Sequence, residues 1–103
     1  MLILIPVEKD NGINSTIVPE SSAKKWALVD FERGEMNSLT FYDKRESIEA
    51  DWIDFVILEN RYENYMDFMQ EGMMVLVRRE GQDSIELLIE AFKFKELDEA
   101  GIM

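Results

Sequence analysis

Trp52-Ile53-Asp54-Phe55-Val56-Ile57-Leu58-Glu59-Asn60 decides the fold of this chain. From Ile53 to Leu58 only Asp54 is polar, and the run stops abruptly at Glu59 and Asn60. A strand with one wet face would alternate. An almost unbroken apolar run suits a strand covered on both sides, as in the middle of an α/β sheet. Ligands of such sheets sit just past the carboxyl ends of the central strands, so Glu59 and Asn60 are expected to border any site.

Downstream, Tyr62, Tyr65, Met66 and Met69 fall at helical spacing, and Phe68 widens that face. The face predicts a packed helix in which Met66 and Met69, like Met73 and Met74 beyond it, fill the core. Gly72 is placed to end the helix in a left-handed cap. Met73 to Val77 then reads as a buried strand, closed by Arg78, Arg79 and Gly81. Asp83 is expected to cap a last helix, with Glu86 three residues on. Ile85, Leu88, Ile89 and Phe92 form its apolar face, and the pattern runs to about Leu97. Residues 96–103 are acidic and expected to fray.

Upstream, Leu2 to Val7 predicts a buried first strand, with Pro6 confined to its end because proline donates no ladder hydrogen bond. Glu8 to Gly12 carries the turn dipeptide Asn11-Gly12. Ile13 to Ser22 reads as a loop with a short extended piece at Ile17-Val18. Lys25–Phe31 and Met36–Tyr42 form an antiparallel hairpin across a tight connection at Glu32 to Glu35. In its first strand Trp26, Leu28 and Asp30 share one face, and Ala27, Val29 and Phe31 the other. Asp43 to Asp51 holds at most one helical turn, anchored by Ile48. Trp26 is expected to pack and Trp52 to be partly exposed. A hairpin followed by strand–helix units predicts one α/β domain over residues 1–103. It has a five-stranded mixed sheet, two main helices and one reduced helix.

The chain has 103 residues, without cysteine or histidine. Disulfides, zinc–thiolate sites, cysteine-ligated clusters, cysteine nucleophiles and imidazole chemistry are excluded. Asp and Glu number 22 against 11 Lys and Arg, a formal charge of −11, which disfavours nucleic acid and anionic membranes as partners. Leu2 to Val7 is too short to span a bilayer and lacks the flanks of a signal peptide. A cytoplasmic location is expected.

The ordered set of strands resembles the dinitrogenase iron–molybdenum cofactor-binding and biosynthesis family, which has a ribonuclease-H-like fold. Leu2-Ile3-Leu4-Ile5-Pro6-Val7-Glu8 is similar to the family's opening strand. Ala23-Lys24-Lys25-Trp26-Ala27-Leu28-Val29-Asp30 is similar to its second. Ile53-Asp54-Phe55-Val56-Ile57, Glu71-Gly72-Met73-Met74-Val75, and Ser84 through Leu97 match later segments. The resemblance implies strand order 3-2-1-4-5 with the second strand antiparallel to the rest. It also implies an iron–molybdenum or iron–sulfur cluster as cofactor. The loops read differently. Pro19-Glu20-Ser21-Ser22 stands where the family carries a His-Phe-Gly-Arg type sequence, and Glu59-Asn60-Arg61-Tyr62 replaces a glycine-rich Gly-Asn-x-Gly loop. The cofactor is therefore unknown.

Three constellations follow. Glu20, Ser21, Ser22, Glu59, Asn60 and Arg61 form a candidate rim for a small anionic ligand or a partner protein, with Arg78 and Arg79 completing a possible clamp. Glu8, Asp10 and Glu59 would make a carboxylate site for Mg²⁺ or Mn²⁺, and with it a metal-dependent hydrolase. A chain acting only through protein contacts is the third reading. The expected role is that of a non-enzymatic binding or accessory protein.

Overall fold

In a computed structural model, which describes residues 1–100, the amino-terminal strand β1 (Leu2–Val7) lies at the centre of the sheet. On one side it pairs antiparallel with β2 (Lys25–Glu32), in register from Leu2 opposite Asp30 to Val7 opposite Lys25. On the other it pairs parallel with β4 (Phe55–Leu58), Ile3 facing Phe55 and Leu4 facing Val56. β3 (Glu35–Tyr42) returns beside β2 across a turn in which Arg33 and Gly34 both take positive φ. That geometry matches the twist of a hairpin. β5 (Met74–Val77) pairs parallel with β4. Pro6 lies inside β1, opposite Trp26 and past the stretch registered on β4.

Side chains alternate across the sheet with period two. Ile3, Ile5, Val7, Ala27, Val29, Phe31, Ile57 and Leu76 face one side, where helix α2 (Ile85–Lys93) covers them with Ile85 and Leu88. Leu4, Trp26, Leu28, Val56, Leu58, Val75 and Val77 face the other, under Phe68 of helix α1 (Met66–Gln70) and Met73. The two faces of the β2 hairpin strand divide as their alternation predicts. Val56, Ile57 and Leu58 have no exposed surface, which accounts for the missing alternation in the central run. The strand itself starts at Phe55 rather than Ile53. The Asp54 carboxylate accepts the Leu2 amide at 2.8 Å, so a side chain takes the place of one ladder contact.

Four expectations are corrected. The sheet has six strands, in the order β3-β2-β1-β4-β5-β6. β6 (Asp98–Glu99) pairs antiparallel with β5 inside the segment expected to fray, so β2 is not alone in running against its neighbours. Residues 101–103 of that segment lie outside the described residues. Second, the helix after β4 spans only Met66–Gln70. Tyr62 is 91% exposed, Met66 and Met69 are exposed, and Phe68 is the buried residue at 1%. The cause is local: Asn60 Oδ1 accepts the Tyr62 amide at 2.9 Å and the Tyr65 amide donates to the Glu63 carbonyl at 2.8 Å, so residues 60–65 turn instead of coiling. Third, of the four methionines expected in the core only Met73 is there; Met74 is also exposed. Fourth, Ser84 rather than Asp83 caps α2, its hydroxyl accepting the Leu87 amide. The Ile85 and Glu86 amides donate to the Ser15 and Ile13 carbonyls, which pins the 13–18 loop against the helix start.

The reduced helix is a single 3₁₀ turn at Arg45–Ser47, with Ile48 packed against the α1-side core. Gly72 closes α1 at φ 91°, and Trp52, 59% exposed, lies across it. A Cβ at Gly72 would stand 2.7 Å from the Trp52 ring, so glycine is required there twice over.

The α1-side core therefore rests on Phe68. Phe68→Ala should cost about 3–5 kcal/mol in urea unfolding, whereas Met66→Ala and Met69→Ala should each stay within about 0.5 kcal/mol of wild type. Equal losses at the three positions would contradict this packing.

Candidate functional site

The loops following β1, β4 and β5 meet at one end of the sheet, the end at which a parallel sheet of this kind receives ligands. Glu63 joins two of them. Its Oε1 accepts the Glu20 amide at 2.6 Å and its Oε2 accepts the Asn60 amide at 2.9 Å. One carboxylate thus spans two backbone N–H groups from two separate loops, that of Glu20 lying 43 residues from Glu63 in sequence. Charge-assisted bonds of this kind are stronger than neutral ones. Glu20 is half-buried beside Glu63, and burial, together with the neighbouring carboxylate, raises its pKa above the ordinary glutamate value. Ser21 and Ser22 are exposed on the 3₁₀ turn Glu20–Ser22.

A second network lies beside the first. Glu59 Oε2 accepts from Asn60 Nδ2 at 2.8 Å, and Oε1 accepts from Arg78 Nη2 at 2.9 Å. These two donors hold the Glu59 carboxyl below the usual glutamate range. Arg78 Nη1 donates to Asp83 at 2.9 Å. Arg79 Nε donates to Asp98 at 3.1 Å, and Arg61 approaches the same carboxylate at 3.8 Å. The three guanidiniums expected to clamp an anion are paired with the chain's own carboxylates. Arg78 is the most enclosed of them, and its Nε is buried without a hydrogen-bond partner among the described residues.

The six predicted rim residues divide accordingly. Glu20, Asn60 and Glu59 are drawn into one connected network; Arg61 leans away toward β6, and Ser21 and Ser22 stand free of it. Glu8, Asp10 and Glu59 do not form a cation site. Glu8 and Asp10 are exposed, Asp10 accepts the Gly12 amide at 3.1 Å, and Glu59 is committed to Arg78. No group of three or more acidic side chains placed to hold a metal occurs among the described residues. The donor set does not suit an iron–molybdenum or iron–sulfur cluster either. The chain has no thiolate or imidazole, and the two amides at the loops are taken by Glu63.

Glu63 and Asp98 were absent from the residues that the sequence singled out, and Asp83 was expected as a helix cap, not as a partner of Arg78. For Glu63 a signal existed: Asn60 and Glu63 have capping-box spacing, and Glu63 does reach back to the Asn60 amide. Its bond to Glu20 has no sequence signature.

No family model and no curated protein matches the chain. Solved structures do. A structure described as "a putative dinitrogenase" from Methanocaldococcus jannaschii superposes with a TM-score of 0.76 at 17% identity, covering 100% of this chain and 97% of that one. A "putative NifB protein" from Thermotoga, assigned to the DUF35 family, gives 0.72 at 16% identity, over 99% and 95%. The apo form of the orange protein from Desulfovibrio gigas gives 0.72 at 14% identity, over 97% and 92%. The chain shares its fold with these proteins over nearly its whole length, and the first two names agree with the resemblance carried by its strands.

The Glu59–Arg78 pair is about four-fifths shielded on both sides, so breaking it leaves an enclosed guanidinium without its charge partner. Glu59→Gln should cost about 1–3 kcal/mol near neutral pH. Because the folded carboxyl has a lowered pKa, its contribution is present above the unfolded glutamate value and fades as pH falls through the folded one. The wild-type advantage over Glu59→Gln in denaturant melts should therefore shrink on acidification and be constant above about pH 6.

Proposed function

We propose that this chain is a non-enzymatic accessory protein of the dinitrogenase cofactor-binding family, with the ribonuclease-H-like arrangement of that family. In this reading it works by binding a partner protein at the loops after β1 and β4. The observation that carries it is the Glu63 carboxylate seated on the Glu20 and Asn60 amides. Where an anionic ligand would take two backbone N–H groups, the chain supplies its own anion. The neighbouring guanidiniums of Arg78 and Arg79 likewise pair with carboxylates of the chain. A loop end stapled in this way is rigid, and rigidity favours recognition by shape and by exposed side chains over capture of an ion.

Tyr62, standing 91% exposed between Arg61 and Glu63, is the anchor on that surface. The formal charge of −11 supports a basic partner surface and argues against nucleic acid and anionic membranes. No helix among the described residues is long and apolar enough to cross a membrane; a cytoplasmic location belongs to the proposal. A small anionic ligand is the second reading, favoured by Arg61, whose guanidinium is 67% exposed and only loosely engaged.

Native mass spectrometry of the protein freshly isolated from its own host separates these readings. The expected result is one stoichiometric protein partner and no inorganic cluster. Tyr62→Ala should weaken that complex at least about tenfold while leaving the unfolding midpoint unchanged. Retention of a cluster or of a small anion in place of a protein would overturn the proposal.

A further inference from the structure

A sizeable groove lies at the opposite end of the sheet, where β1, β4 and β5 begin. It encloses about 560 Å³, against about 230 and 210 Å³ for two other pockets, and falls within the range of small-molecule sites. Its floor is aromatic. Phe92 of α2 meets Phe31 edge-on at 5.2 Å and Phe55 edge-on at 4.9 Å between ring centroids. Leu76, Leu97 and the exposed Met74 extend the apolar wall toward β6.

The rim carries Lys93, Lys95 and Glu99. Lys93 and Lys95 are in no ion pair among the described residues, as is true also of Lys9, Lys24, Arg33 and Lys44, and Lys93 Nζ stands 5.6 Å from the centroid of the Phe94 ring. Two lysines against the one carboxylate of Glu99 leave the mouth of this apolar groove locally positive in a chain with twice as many acidic as basic side chains, which favours negative charge there. Lys95 sits in the turn that ends α2, its backbone at φ 58° and its amide donating to the Phe92 carbonyl.

We propose that this groove binds a small amphipathic carboxylate. Its apolar or aromatic body would lie on Phe31, Phe55 and Phe92, and its carboxylate would pair with Lys93 and Lys95. The site is independent of the loops after β1 and β4, so its failure would leave the partner-binding reading standing.

The test is a titration of the ¹⁵N-labelled full chain with 4-phenylbutyrate, compared with the neutral 4-phenylbutyramide. The expected result is a saturable set of shifts at Phe55, Met74 and Leu76, with the carboxylate binding more tightly than the amide. Lys93→Gln combined with Lys95→Gln should weaken carboxylate binding about fivefold and leave the amide unchanged. Met74→Trp should fill the groove and weaken both. Four results would each overturn the proposal: no saturable shifts up to about 10 mM, a level above the millimolar affinities of weak ligands; shifts centred on Arg61 and Arg78; equal affinity for acid and amide; or shifts at the groove that track protein concentration without ligand, which would mark a second copy of the chain as its occupant.

Discussion

The parallel pairing of β1 with β4 is the constraint on which the rest of this molecule depends. Two strands side by side in the middle of a sheet must be covered on both faces, because neither face can be left wet when both carry leucine, isoleucine and valine. That requirement calls for a helix on each side. The chain meets it unevenly. α2, nine residues long, buries Ile85, Leu88 and Ala91 on one face, while α1, five residues long, concentrates its cover in the single ring of Phe68. Trp26 and the guanidinium of Arg45 pack against that ring, the latter 4.4 Å from its centroid, so a short helix is made sufficient by what surrounds it.

Uneven cover shapes the two ends of the sheet differently. At the carboxyl ends the chain folds back on itself through carboxylates. Glu63 holds two amides, Glu59 and Asp83 hold Arg78, and Asp98 holds Arg79. A strongly acidic chain can order its loops in this manner because Arg61, Arg78 and Arg79 each have a carboxylate within reach at that end. The consequence for function is a closed, pre-formed surface in place of an open anion seat. At the amino ends, α2 stops at Lys93 before it covers Phe55 and Met74 fully, and the groove is what remains.

The fold is shared with structures described as a putative dinitrogenase, a putative NifB protein and the orange protein at 14–17% identity. The buried alternation across six strands sets the framework. Residues 19–22 and 59–62 lie outside both core clusters, so the sheet does not depend on their side chains.

What the residues determined by themselves were the strands β1 to β5, the division of β2 into two faces, the hairpin, Gly72 as a helix stop and the exposure of Trp52. These are properties of local period and turn chemistry, and a short window of sequence holds them. The order of the strands came only with the family resemblance. β6 and the shortness of α1 were not legible. Two residues pairing with β5 leave no periodicity, and an asparagine-led turn overrode the helical spacing of Tyr62, Met66 and Met69. Nor was the wiring of the candidate site. Glu59 and Asn60 were correctly placed at the end of the central strand. That a carboxylate three residues later would also hold the amide of Glu20 depends on two loops meeting in space, and only the tertiary fold decides which segments come within hydrogen-bond distance.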